Sequence, residues 1–232
     1  MSQYSTGLEL ILNAAEGVLQ IVVTDDEKTL CSQQWHRADR ATEILAPALE
    51  GLCAALDIKP TSFRRIACVR GPGSFTGIRL VLATTAALRR TGKAAVTGLD
   101  YMQALATTVA LRGQLLFGAT IWVLTHARRN LVHCQSFLSY GPMIPAQPST
   151  TVDLCSPEDA LKRIKNQMLA GFEYEKQNPG KIAGKALFGN LYGDHPYAHP
   201  SDGTAETING ITLAQLRASA ACNPISTTLP RP

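Results

Sequence analysis

No pair of cysteines in this chain has the C-x-x-C spacing of a zinc or dithiol site. The six fall at 31, 53, 68, 134, 155 and 222, and Cys53 and Cys68 sit among apolar residues as free core thiols do. That usage predicts a reducing compartment. Charge is also scarce: charged residues make up 17% and the net charge is +4, too small for a nucleic-acid footprint. The basic pairs Arg64-Arg65, Arg89-Arg90 and Arg128-Arg129 are scattered and read as solvated surface, so no strong direct nucleic-acid binding is expected. No apolar run is clean enough for a signal peptide or a membrane span, because Glu9, Asn13, Glu16 and Gln20 interrupt the only candidate. The expectation is a cytoplasmic protein. With 45% apolar residues in 232 positions, the chain can bury a core as one large domain or two lobes.

One stretch organises the rest. Arg70-Gly71-Pro72-Gly73-Ser74-Phe75-Thr76-Gly77-Ile78-Arg79 follows an apolar strand at 66–69 and opens an Ala-rich helix from Phe75 to Arg90. Glycines let backbone approach a ligand, and a helix start offers free N–H groups to an anion. Gly71, Gly73, Ser74, Thr76 and Gly77 are therefore the candidate anion contacts. The stretch lacks a Lys-Ser/Thr ending and is not a P-loop. A tight turn without a ligand explains the glycines equally well.

Upstream, strands at 8–12, 18–23 and 29–35 are separated by polar turns and read as an antiparallel meander. A helix follows from about Asp39 to Leu56, its apolar face marked by Ile44, Leu45, Ala48, Leu49, Leu52, Cys53 and Leu56, with Pro47 inside. Gly92 is the expected stop of the second helix. A strand at 94–97 and a helix at 101–111 complete the first half. Strand, polar turn, strand then recurs at 118–138, with the turn at 125–130. Openings about 110 residues apart suggest a duplicated unit. Two lobes are expected, 1–104 and 105–232. In the second, 141–157 reads as irregular. A helix at 157–168 is capped by Ser156. Lys181 to Ala183 reads as a strand, 189–204 as loop, 211–221 as a helix and 223–232 as an extended tail.

Catalytic signatures are weak. Gly73-Ser74-Phe75-Thr76-Gly77 places serine one position too early for a nucleophile elbow. His195 and His199 have H-x-x-x-H spacing, but Pro196 lies between them, so no metal site is expected.

The string from Arg70 to Arg79 closely resembles the TsaB family, whose members are partner subunits in the synthesis of threonylcarbamoyladenosine on tRNA. The resemblance extends over most of 8–140: Leu10-Ile11-Leu12-Asn13-Ala14 stands where the family has an Asp-Thr pair. His36 to Leu56 is similar to its first helix, and His126-Ala127-Arg128 to its Asp-Ala-Arg segment. It implies an α/β fold, actin-like and ribonuclease-H-like, in two lobes built from a duplicated βββαβα unit. In such folds carboxylates on the two opening hairpins hold the nucleotide's magnesium. Here Asn13 and His126 replace them, and Glu16 lies outside the matching position. Nor does 100–106 carry a histidine where the related transferase has its metal motif. The resemblance thus implies a non-catalytic scaffold without a cofactor. It would pair with the TsaD-type transferase subunit, be joined in the complex by a TsaE-type ATPase, and pair with a second copy when alone. No strong direct tRNA contact is implied. The rival readings are a stand-alone glycoprotease-like hydrolase and a degenerate sugar-kinase-like nucleotide binder.

The second helix is apolar on two sides: Ile78, Val81, Leu82, Thr85 and Leu88 form one, Leu80, Ala83, Thr84 and Ala87 the other. Burial on both sides is expected. Leu80, Ala83, Thr84 and Ala87, with Leu45 and Leu49 of the first helix, are the predicted partner interface.

Overall fold

The computed structural model describes residues 7–26, 28–36, 40–115, 118–141, 143–193, 195–198 and 203–222. Five strands, β1 (Leu8–Asn13), β2 (Leu19–Asp25), β3 (Lys28–Trp35), β4 (Arg65–Val69) and β5 (Ala95–Leu99), form one sheet in the order β3-β2-β1-β4-β5. The first three pair antiparallel through short polar turns, while β1–β4 and β4–β5 are parallel. Parallel neighbours need a long crossover, and helices α1 (Ala41–Ala55) and α2 (Phe75–Gly92) supply the two required here. This is the expected ribonuclease-H-like α/β arrangement.

Period-two alternation along β1 and β2 sends Leu8, Leu10, Leu12, Ile21 and Val23 to one face, where they pack with α1 and with Val81 of α2. Leu45 and Leu49, expected at a partner interface, lie in this core instead, and Leu45 is 1% exposed. The correction has a simple cause. The apolar stripe that reveals a helix in sequence is the side that covers its own sheet. Pro47 lies inside α1 on its exposed side. The expected start at Asp39 lies outside the described residues.

Burial of α2 is one-sided, contrary to expectation: Gly77, Val81 and Thr85 face inward, while Ala83 and Ala87 are exposed and Leu82 is 42% exposed. Leu80 and Leu88 pack at the margin of the core. The helix runs two residues past the expected Arg90, to Gly92, and its C-cap is Lys93. That residue takes a left-handed conformation and donates its N–H to the carbonyl of Arg89.

Helix α3 (Tyr101–Arg112) leads to β6 (Thr120–Arg128) and β7 (Leu131–Leu138), an antiparallel pair. The turn expected at 125–130 is mostly strand. β6 continues through Arg128, and the reversal is confined to Arg129 and Asn130, with Asn130 at φ 59°. The stretch 141–157, expected to be irregular, holds two short strands that pair with β7, β8 (Gln147–Pro148) and β9 (Asp153–Cys155). Met102, Ala106 and Ala110 of α3 pack with Ile121, Val123 and Phe137, so the expected lobe boundary at 104/105 falls inside a helix. The compact units divide between Leu154 and Cys155.

The second unit is helical: α4 (Pro157–Glu175), α5 (Pro179–Tyr192), α6 (Ala205–Gly210) and α7 (Leu213–Cys222). Ser156 caps α4 as expected, accepting from the Asp159 N–H at 3.0 Å. The strand expected at Lys181 to Ala183 is helix. Asn178 accepts from the N–H groups of Gly180 and Lys181, and Pro179 occupies the first turn, which together nucleate α5. The loop expected at 189–204 is helical as far as Tyr192 and, among the described residues, holds a 3-10 turn at Pro196–Ala198. The helix expected at 211–221 is α7, and the short α6 lies just before it. The tail 223–232 and His199 lie outside the described residues.

Candidate functional site

The first hairpin turn closes on its own side chains. Asn13 Oδ1 accepts from the Ala15 N–H at 2.9 Å, and Asn13 Nδ2 donates to Gln20 Oε1 at 2.8 Å. An amide that bridges its own turn in this way is a local fold device.

The glycine stretch packs directly onto that turn. A Cβ on Gly73 would stand 2.2 Å from the Ala15 carbonyl oxygen, and one on Gly77 would stand 2.0 Å from that of Ala14. The Ser74 N–H donates to the same Ala15 carbonyl. Two of the predicted anion contacts, Gly73 and Gly77, are thus glycines because protein backbone approaches them. Ser74 is the α2 N-cap, its Oγ accepting from the Gly77 N–H at 3.3 Å. Gly71 joins Pro72 through a cis peptide, and its carbonyl accepts from the Tyr101 N–H at 2.9 Å. Thr76 is exposed on the first turn of α2, beside Phe75, over whose ring Arg79 lies at 5.2 Å.

Sequence reasoning set Glu16 aside, yet it is the charged centre of this region. Its Oε1 accepts from the backbone N–H of His126 at 2.7 Å, and its Oε2 accepts from the Tyr101 hydroxyl at 3.1 Å. One carboxylate therefore ties the first hairpin to the start of α3 and to β6. Burial pushes the Glu16 carboxyl above its ordinary range, against the pull of its two donors and of His126. Tyr101 is raised by the same burial and by the adjacent negative charge. His133, across the strand pair from Thr125, is lowered first by burial and then by His126. Its Nδ1 is buried without a partner among the described residues.

Of the two positions where an actin-like nucleotide site would place its carboxylates, Asn13 is bonded within its own hairpin and the His126 N–H is bonded to Glu16. Among the described residues, no group of three His, Cys, Asp or Glu side chains could hold a metal, and no helix is long and apolar enough to cross a membrane. The Ser74 hydroxyl accepts from the α2 cap. A signal for Glu16 did exist in the sequence: a lone carboxylate on a turn between two apolar strands, with a tyrosine opening a later helix.

Comparison with known proteins agrees with this frame. The structure resembles an uncharacterised protein with similarity to peptidase YeaZ from Pseudomonas aeruginosa. The identity is 18% and the TM-score 0.57, over 66% of this chain and 68% of that one. It also resembles YeaZ from Pseudomonas aeruginosa, at 17% identity and TM-score 0.56 over 65% and 68%. At such identity the likeness is one of fold. No curated protein matches the chain by sequence. The family model TsaD, tRNA N6-adenosine threonylcarbamoyltransferase, matches residues 36–184. That span is more than half of the chain, which therefore belongs to the TsaD family.

Proposed function

We propose that this chain is a non-catalytic scaffold subunit of the machinery that builds threonylcarbamoyladenosine on tRNA, pairing with the TsaD-type transferase subunit. The observation that carries this reading is the outer side of α2. Ala83 and Ala87, four residues apart, are exposed, with Leu80 and Thr84 half-buried along their margin. Small side chains at that spacing let a second helix approach closely. The contribution of α1 falls to its exposed side, where Ala46, Glu50 and Gly51 stand. The non-catalytic part of the reading is supported by Asn13 and Glu16, whose polar atoms are engaged by protein donors and acceptors. A TsaE-type ATPase would join through the complex, and the alanine face would also serve a self-paired form of the isolated protein.

The test is co-expression with the transferase subunit, followed by size exclusion of parent and Ala87→Glu. A carboxylate forced into a packed seam loses several kcal/mol, and a micromolar complex holds only about 8 kcal/mol. The complex should dissociate while the variant monomer stays folded. A complex that survives the substitution would place the contact elsewhere. Sustained ATP turnover by the isolated protein, abolished by Glu16→Ala, would overturn the non-catalytic role.

A further inference from the structure

Strand β5 closes one side of the first sheet, and among the described residues nothing pairs with its outer edge. Its sequence is Ala95-Val96-Thr97-Gly98-Leu99, without a charge or a proline. Sheet edges in soluble proteins ordinarily carry such residues to discourage pairing. The hydrogen bonds show which groups face outward. The Ala95 N–H donates to Arg64, and the Leu99 carbonyl accepts from Arg70, so both point to β4. Backbone groups alternate along a strand, so Thr97 also faces β4, and Val96 and Gly98 present their N–H and C=O to the open side.

A groove of about 430 Å3 runs beside this edge, between β5 and the C-terminal half of α2. Leu82, Ala86 and Val96 line it, with Arg89 and Arg90 at one end. Leu82 and Val96 are large apolar side chains at 42% and 37% exposure. Thr85 also lines the groove; it is 3% exposed, and its hydroxyl has no partner among the described residues. No carboxylate pairs with either arginine among the described residues. On α2, Leu82, Thr85 and Arg89 lie away from Ala83 and Ala87, whereas Ala86 and Arg90 border that face at helical spacing; none of these features rests on the function proposed above.

We propose that β5 and this groove bind an extended partner segment that adds a sixth strand to the sheet. The segment sets an apolar side chain over Leu82, Ala86 and Val96 and a carboxylate against Arg89 and Arg90. Strand addition of this kind takes its affinity from main-chain bonds and its selectivity from alternate side chains. A second copy of this chain fits poorly, since β5 against β5 would bring neutral edge to neutral edge and leave all four arginines without a carboxylate. In an antiparallel match the acidic end of the segment is its C-terminal end, because the arginines stand near the start of β5.

The probe is a fluorescein-labelled, N-acylated peptide, Thr-Val-Thr-Val-Asp-Glu, titrated by anisotropy against the full chain, with Thr-Val-Thr-Val-Lys-Lys as its control. Saturable binding of the acidic peptide, at least roughly tenfold tighter than the control, is expected. Val96→Pro removes an outward N–H without touching the β4 ladder and should weaken binding by about tenfold or more, whereas Val96→Thr keeps that N–H and should weaken it by less than about threefold. The double variant Arg89→Glu, Arg90→Glu should reverse the preference toward the lysine peptide, and it decides the matter if Val96→Pro does not fold. Three results would each overturn the proposal: no saturable binding, equal affinity for the two peptides, or equal loss in the proline and threonine variants. Markedly tighter binding on removal of 223–232 would also overturn it, by making the chain's own tail the occupant.

Discussion

The carboxylate of Glu16 accepts the main-chain N–H of His126 at 2.7 Å, across 110 residues of sequence. Its other oxygen takes the Tyr101 hydroxyl. The donor at 126 is backbone, so the identity of the side chain there does not decide the bond. This is how histidine can stand where the family resemblance implies aspartate while the contact with the first hairpin persists.

Replacing Glu16 with Ala leaves the Tyr101 hydroxyl and the His126 N–H without their acceptor, and should cost about 1–3 kcal/mol. Tyr101→Phe removes one bond and should cost about 0.5–1.5 kcal/mol. His126→Ala retains the N–H and should stay within about 0.5 kcal/mol of the parent. Urea unfolding of the three variants checks the order; a His126→Ala loss as large as that of Glu16→Ala would contradict it.

The raised Glu16 carboxyl has a pH signature. The folded chain holds this proton more tightly than the unfolded chain, whose carboxyl titrates near 4.5. Stability contributed by this group is therefore greatest below that value. It declines as pH rises through the folded value and is level above it. Relative to Glu16→Gln, which cannot titrate, the parent should lose stability across that window. Unfolding midpoints of both proteins from about pH 4 to about pH 8 measure the difference. A difference that does not change with pH would show that Glu16 titrates normally.

Gly73→Ala and Gly77→Ala each drive a methyl into a hairpin carbonyl. Backbone on both sides leaves little room for relaxation, so each should cost at least about 1–3 kcal/mol. Gly171→Ala in α4 meets nothing within 4 Å and should add up to about 1 kcal/mol of stability. Thermal melts of the three should fall, fall and rise. A neutral Gly73→Ala would mean that the turn can shift away.

Leu45 and Ala87 were expected to share one surface, and monomer stability should separate them. Leu45→Ala opens a cavity in the core and should cost about 2–5 kcal/mol. Ala87→Glu places a charge in water and should stay within about 0.5 kcal/mol of the parent in a monomeric sample. Equal losses would return both residues to one packed layer.

The first half of the fold is legible in the sequence because its strands alternate cleanly and its turns are polar. β1, β2, β3, β4 and α3 lie within a few residues of their expected places. The glycine stretch is legible as strand, loop and helix, but the function of its glycines is not. Anion binding and close backbone approach demand the same residue, and only the position of Ala14 and Ala15 tells them apart. Leu45 was misassigned because periodicity finds an apolar face without saying what covers it. Three residues, Lys181 to Ala183, suggest a strand, whereas the local capping by Asn178 and Pro179 governs the segment. Glu16 escaped because its partners are distant in sequence and one of them is main chain.

The sheet and the Glu16 contact also differ in when their parts become present. All five strands of the first sheet are complete once the chain reaches Leu99, whereas the donors to Glu16 come from Tyr101 and His126. The Glu16 contact with His126 can therefore close only after the second hairpin is present. Contacts that close long loops bear their entropy cost before any reward. Pulsed hydrogen exchange during refolding should accordingly protect the amides of β1 and β4 before that of His126.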